Sequence, residues 1–150
     1  MDQINRLHTA ANTQPHAFPD PEPALGLVIL TCMDARIDPH ELLGIGLGDA
    51  HIIRNAGGMV TDDVVESIAI SQKMVGTTRV MVVHHTNCLA HGDRAPGYSP
   101  AQTAAWVVQQ LRNDPRLPHR EKIRGFVLDT ANEGGSTLTA IDEAVPAKPV

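Results

Sequence analysis

No stretch of this sequence concentrates positive charge. Twelve Lys and Arg stand against 17 Asp and Glu, a formal net charge of −5. The absence of a basic stripe argues against nucleic acid and against an anionic membrane surface as partners. Long apolar runs are also missing, since none approaches the roughly 20 residues of a membrane span. Residues 1–13 are polar and lack the apolar region of a signal peptide, so a cytoplasmic location is the default expectation. Aromatic residues are few, yet apolar content is ordinary at 42%, which suits a folded chain. Cysteine is nearly absent, with only Cys32 and Cys88. In a reducing compartment such cysteines are more often metal ligands or reactive thiols than a disulfide.

What is present divides the chain in two. A length of 150 residues suits one domain with one sizeable core. Asp2 to Asn12 carries Ile4, Leu7 and Ala11 at helical spacing, a weak apolar stripe. Pro15 to Pro23 follows as a stiff, extended connector that cannot be helix. Residues 1–24 therefore read as an N-terminal helical arm, free to pack on its own domain or on a second subunit. Residues 25–150 read as the domain proper, without internal repeats.

Within that domain, Leu25 to Leu30 is a continuous apolar run, the pattern of a strand buried on both faces. Asp38 and Pro39 open a short helix that Gly44 to Gly48 stops. His51 to Asn55 is a second strand. Thr61 caps a long helix whose face is Val64, Val65, Ile68, Ala69 and Gln72, ended by Gly76. Arg79 to His84 is a third strand, and His91 to Tyr98 reads as a polar loop. Ser99 and Pro100 start another helix, and Gly125 to Asp129 is a fourth strand. A turn at Asn132 to Gly135 then sends Thr137 to Ile141 back as an extra edge strand. The class is α/β, three-layered around a mostly parallel four-stranded sheet with right-handed crossovers. With strand order 2-1-3-4, strands one and three flank the switch point where such sheets bind ligands.

Those two strands end in unusual chemistry. Thr31-Cys32-Met33-Asp34-Ala35-Arg36 places a thiol, a carboxylate and a guanidinium at every second position. If the backbone stays extended, all three face one pocket. His85-Thr86-Asn87-Cys88 holds the other cysteine. Two thiolates and an imidazole suit Zn²⁺ and leave a fourth position open, as catalytic zinc sites do. His84 is a rival to His85, but adjacent strand residues face opposite ways, so only one of the pair enters the site. Inert buried thiols and a redox disulfide are the competing readings of the cysteines, and a plain surface ion pair is the competing reading of Asp34 and Arg36. His8, His16, His40, His51, His91 and His119 are expected to be solvated. Arg54-Asn55-Ala56-Gly57-Gly58 reads either as a tight turn or as a backbone cradle for a small anion.

These residues resemble the β-class carbonic anhydrases, and most closely their small bacterial branch. The resemblance rests on Cys32-Met33-Asp34-Ala35-Arg36, Arg54-Asn55-Ala56-Gly57-Gly58 and His85-Thr86-Asn87-Cys88, and extends over most of residues 25–130. It implies Cys32, His85 and Cys88 as ligands of one zinc per chain, with Asp34 and Arg36 as a catalytic dyad and Gly57 near the substrate. The implied activity is reversible hydration of CO2 to bicarbonate by attack of zinc-bound hydroxide. The implied fold is a parallel sheet in order 2-1-3-4, assembled as a homodimer or higher oligomer with the arm embracing a neighbour. If the dyad separates, the resemblance implies that Asp34 itself ligates zinc and blocks the site. Hydrolysis of carbonyl sulfide or carbon disulfide on the same fold is one alternative, and a non-catalytic zinc-binding or thiol-sensor paralogue another. The sequence departs from the family at Leu89, where Gly is usual. A side chain there strains the turn if the turn needs positive φ, or narrows the site.

Overall fold

The computed structural model of the chain describes residues 2–131, 135 and 137–141. Five strands, β1 (Leu27–Cys32), β2 (Ala50–Asn55), β3 (Arg79–His85), β4 (Lys122–Asp129) and β5 (Thr137–Ala140), form one sheet in the order β2-β1-β3-β4-β5. The first four are parallel, and β5 returns antiparallel to β4. The expected α/β class, the 2-1-3-4 order and the edge strand are all present. The expected turn at Asn132 to Gly135 lies outside the described residues apart from Gly135.

The strand limits differ from the sequence reading in an instructive way. β1 starts at Leu27 and keeps Cys32 in the ladder, opposite Asn55. β3 likewise includes His85, opposite Leu128. β4 begins at Lys122, earlier than Gly125, because Lys122 and Arg124 face solvent while Ile123 and Gly125 face the core. The apolar run marked only the half of β4 that lacks charged residues; the rest alternates, with period two.

The central strands β1 and β3 are buried on both faces, as the middle of a parallel sheet requires. One face packs Val28, Leu30, Val80, Val82 and Ile123 under α3 (Asp62–Val75) and α5 (Pro100–Asn113). The other packs Ile29, Val83 and Leu128 against Ile37 and the short α2 (Pro39–Leu43). Each of these helices starts on a side-chain cap: Asp38 accepts from the His40 N–H, Thr61 from the Val64 N–H, and Ser99 with Gln102 closes a capping box. Gln72, expected on the core face of α3, is buried because it pairs with both backbone groups of His119.

Two stretches depart from expectation. The segment read as loop after Cys88 contains a single helical turn, α4 (His91–Arg94), which lacks a side-chain cap and so carries no sequence signal. His40, His51, His91 and His119 are half-buried rather than solvated, His51 against the Ser71 hydroxyl and His91 against the Tyr98 carbonyl, while His8 and His16 are exposed as expected. At the N-terminus, α1 (Gln3–Thr13) buries no residue at all. Among the described residues, no helix is long and apolar enough to cross a membrane.

Candidate metal centre

The C-terminal ends of β1 and β3 lie side by side, because β1 and β3 are hydrogen-bonded neighbours. From β1 comes Cys32, buried at 4% exposure. Beyond Cys32 the backbone does not stay extended. It turns at Asp34, whose Oδ1 accepts from the Arg36 N–H at 2.8 Å while its carbonyl accepts from the Ile37 N–H at 3.1 Å. The turn folds Arg36 back over Asp34. The guanidinium then grips the carboxylate in a fork, Nε to Oδ1 at 3.0 Å and Nη2 to Oδ2 at 2.8 Å. Convergence of these groups thus comes from an Asx turn rather than from strand alternation. The Arg36 hydrogen bond holds the Asp34 carboxyl at a pKa of about 2, below its ordinary 3.8. Arg36 also donates to the Asn87 carbonyl at 3.1 Å, tying this turn to the opposite loop.

From β3 come His84 and His85, and they face opposite ways. His84 points under the sheet, bonded to the Gly58 carbonyl at 2.8 Å and the Thr103 hydroxyl at 3.0 Å. A carbonyl only accepts, so Nε2 of His84 is the protonated nitrogen. Burial pushes the His84 pKa down to about 4. His85 points the other way. Its Nδ1 lies 2.7 Å from the Thr86 carbonyl, so Nδ1 donates and the lone pair is on Nε2. That Nε2 is buried and has no hydrogen-bond partner among the described residues. Cys88 follows after Asn87, which holds φ 53°.

Cys32, His85 and Cys88 offer ligand atoms that all lie within 4.8 Å of one another. The two sulfurs are 3.8 Å apart, far beyond the roughly 2.05 Å of a disulfide. Two Zn–S bonds of about 2.3 Å at a tetrahedral angle put sulfurs about 3.8 Å apart. Burial, with Cys32 adjoining, raises the Cys88 thiol above its ordinary value; a divalent cation between the sulfurs reverses that balance. An orphaned imidazole nitrogen aimed at two facing sulfurs fits a zinc ion well. Asp34 Oδ2 stands 3.8 Å from His85 Nε2, at the edge of this group and held there by Arg36.

A family model described as carbonic anhydrase matches residues 27–124, the span that carries both site stretches. The chain belongs to the β-class carbonic anhydrase family. Beta-carbonic anhydrase 1 of Mycobacterium tuberculosis is 41% identical over 129 residues, covering 73% of this chain and 79% of that protein. A carbon disulfide hydrolase of Saccharolobus solfataricus is 43% identical over 95 residues, covering 61% of this chain and 46% of that protein. In structure, the carbonic anhydrase of Streptococcus mutans superposes with a TM-score of 0.79 at 28% identity, covering 95% of this chain and 99% of that one. The chain is therefore an enzyme of the carbonic anhydrase family. Members of this family use zinc, and the Cys32, His85 and Cys88 group could hold one such ion.

The cleft of this carbonic anhydrase-family enzyme, about 530 Å³, is lined by residues 32–36 and 87–90, with Met33, Ala35, Leu89 and Ala90 as its apolar wall. Leu89 causes no backbone strain, since Asn87 is the one non-glycine with positive φ among the described residues. The Leu89 side chain is instead fully exposed at the cleft. Gly57 does not line the cleft; it sits beside Met59 and Ala90 with φ +88°. Gly58 permits a close approach: a Cβ there would lie 3.0 Å from the Thr31 carbonyl carbon and 3.2 Å from the Cys32 nitrogen. Arg54 has a role that sequence reasoning missed. Its guanidinium donates to the Cys32 carbonyl from Nε and to the Asp34 carbonyl from Nη2, both at 2.8 Å. The guanidinium thus clamps the backbone of the turn that follows Cys32. The signal available was an arginine near the end of the strand that flanks Cys32.

Proposed function

We propose that this enzyme catalyses the reversible hydration of CO2, in which CO2 and water give bicarbonate and a proton. Cys32, His85 and Cys88 hold one Zn²⁺ per chain, and Asp34 and Arg36 act beside it. The observation that carries this reading is the buried His85 Nε2, unpartnered among the described residues and facing two sulfurs next to an Asp34 held ionised by Arg36. Zinc bound there supplies Lewis acidity and lowers the pKa of water.

The chain's own residues supply orientation. An ionised Asp34 is an acceptor only, so it takes a hydrogen bond from water in the cleft and turns that water's free lone pair toward CO2. Arg36 keeps the Asp34 carboxylate charged and bonds both of its oxygens. Met33, Ala35, Leu89 and Ala90 give the small apolar substrate an apolar wall. The released proton leaves through the open cleft to solvent buffer.

Hydrolysis of carbon disulfide is the second reading: one carbon disulfide and two waters give CO2 and two molecules of hydrogen sulfide. The similarity to a carbon disulfide hydrolase favours it, and carbonyl sulfide is the related substrate. Paired assays of CO2 hydration and sulfide release decide. Fast hydration without sulfide supports the first reading, sulfide release without hydration moves the chain to the second, and neither activity overturns both.

The domain reading is part of the same proposal: residues 1–24 are an arm and residues 25–150 the zinc-binding catalytic domain. The arm exposes Ile4, Leu7 and Phe18 at 77%, 71% and 84%, which suits contact with a second copy of the chain. Deleting residues 2–22 is expected to shift the assembly toward monomer by light scattering; an unchanged mass removes the arm from the interface.

A further inference from the structure

We propose that Thr130 is a positioning residue for the metal ligand His85, acting through the backbone carbonyl of Thr86. The proposal rests on the reading of Cys32, His85 and Cys88 as the zinc site. A ligating imidazole is aimed by whatever its second nitrogen bonds, and such outer partners commonly matter tenfold or more for metal affinity. Here that partner is the Thr86 carbonyl, which accepts from His85 Nδ1 at 2.7 Å. The same oxygen accepts from the Thr130 hydroxyl at 2.8 Å. Both of its lone-pair directions are thus engaged, one by the ligand and one by the end of β4.

The rest of Thr86 is tied to the same place. Its N–H donates to the Leu128 carbonyl at 3.0 Å. Its hydroxyl accepts from the Thr130 N–H at 2.9 Å and donates to Asp129 Oδ1 at 3.3 Å. Asp129 Oδ1 is fixed in turn by the Ala131 N–H at 2.9 Å. The β3–β4 register ends at the pair His85 and Leu128, so this cluster extends the strand pairing by side chains beyond the last rung. The need for it is local. The chain leaves β3 through the left-handed Asn87, and a terminal carbonyl there is free to tilt. Tilting it rotates the imidazole, because Nδ1–H follows its acceptor, and turns Nε2 away from the two sulfurs. Thr130 pins that carbonyl from the far side. It touches neither metal nor substrate.

The test uses the full-length Thr130→Val variant, which keeps the β-branched shape and removes the hydroxyl, beside Thr130→Ser, which keeps the hydroxyl. Zinc affinity is measured by chelator competition, the ligand geometry by the visible spectrum of the Co²⁺-substituted protein, and the fold by melting of the metal-free chain. Thr130→Val is expected to bind zinc about tenfold more weakly and to alter the Co²⁺ bands, with unchanged metal-free melting. Thr130→Ser is expected to restore both. Wild-type affinity and spectrum in Thr130→Val overturn the proposal, as does a Thr130→Ser protein that behaves like Thr130→Val. Should Thr130→Val not fold, Thr130→Ala carries the same comparison; failure of both to fold assigns Thr130 to the fold and also overturns the proposal. His85→Ala separates this from the zinc-site reading. One zinc retained per chain in His85→Ala refutes the ligand assignment, whereas loss of zinc there with an unaffected Thr130→Val refutes only the role of Thr130.

Discussion

The exits of β1 and β3 face each other across one cleft and are held by different means. The β1 exit is fixed by charged side chains: Arg54 clamps the carbonyls of Cys32 and Asp34, and Arg36 grips the Asp34 carboxylate. The β3 exit is fixed largely by backbone and hydroxyls: a left-handed Asn87, the Thr86 carbonyl under His85, and the Thr86–Thr130 cluster. Charge-assisted hydrogen bonds are strong, and those to the Asp34 carboxylate are lost in acid, while neutral ones depend on shape. The two sides should therefore fail differently when altered.

The largest effect is expected where both sides meet. Cys32→Ser removes one of two sulfurs and should abolish stoichiometric zinc, measured as metal per chain; full retention breaks the assignment. Next comes Asp34→Asn, which keeps the shape but replaces the acceptor-only carboxylate. A loss of about 100-fold or more in kcat is expected with zinc content unchanged; an unaffected rate removes the dyad from the reaction. Arg54→Ala follows. Loss of two charge-assisted hydrogen bonds on a partly exposed group should cost about 1–2 kcal/mol of stability in denaturant melts, and zinc affinity should fall with it. If stability falls but zinc affinity does not, Arg54 braces the fold alone.

Acid sharpens the same contrast. The Asp34 carboxyl titrates at about 2 in the folded protein against an ordinary 3.8. Between these values the unfolded chain binds more protons, so the stabilisation from the dyad is complete above the ordinary value and is lost as pH falls toward about 2. In the metal-free protein, carboxyl NMR should show Arg36→Ala returning Asp34 toward its ordinary value. A titration unmoved by that change would mean that Arg36 is not the cause. The smallest effect is expected at Leu89. Leu89→Gly alters a fully exposed side chain on an unstrained backbone, so stability should change by less than about 1 kcal/mol. Any effect on turnover should appear in KM, through the apolar wall.

The same contrast explains what could be read from the sequence. The apolar runs of β1 and β3, the caps at Asp38, Thr61 and Ser99, and the glycine stop at Gly76 are local signals, and they located the sheet and its helices. Cys32, His85 and Cys88 stood out because thiols and imidazoles at strand ends have few other uses. The Asx turn at Asp34 was not legible, since strand alternation predicts the same convergence by a different path. The half of β4 that carries Lys122 and Arg124 was missed because charged residues interrupt an apolar run without interrupting a strand. The clamp by Arg54 depends on the register of β2 beside β1, and the Thr86–Thr130 cluster on that of β4 beside β3. The only local mark of the first is an arginine near a strand end, and the second leaves none.

Zinc K-edge absorption spectroscopy of the purified, metal-loaded protein tests the metal assignment most directly. Two sulfur scatterers at about 2.3 Å together with lighter nitrogen or oxygen neighbours are expected, falling to one sulfur or to no bound zinc in Cys32→Ser. A wild-type spectrum without sulfur, or with four sulfurs, would contradict a site built from Cys32, His85 and Cys88.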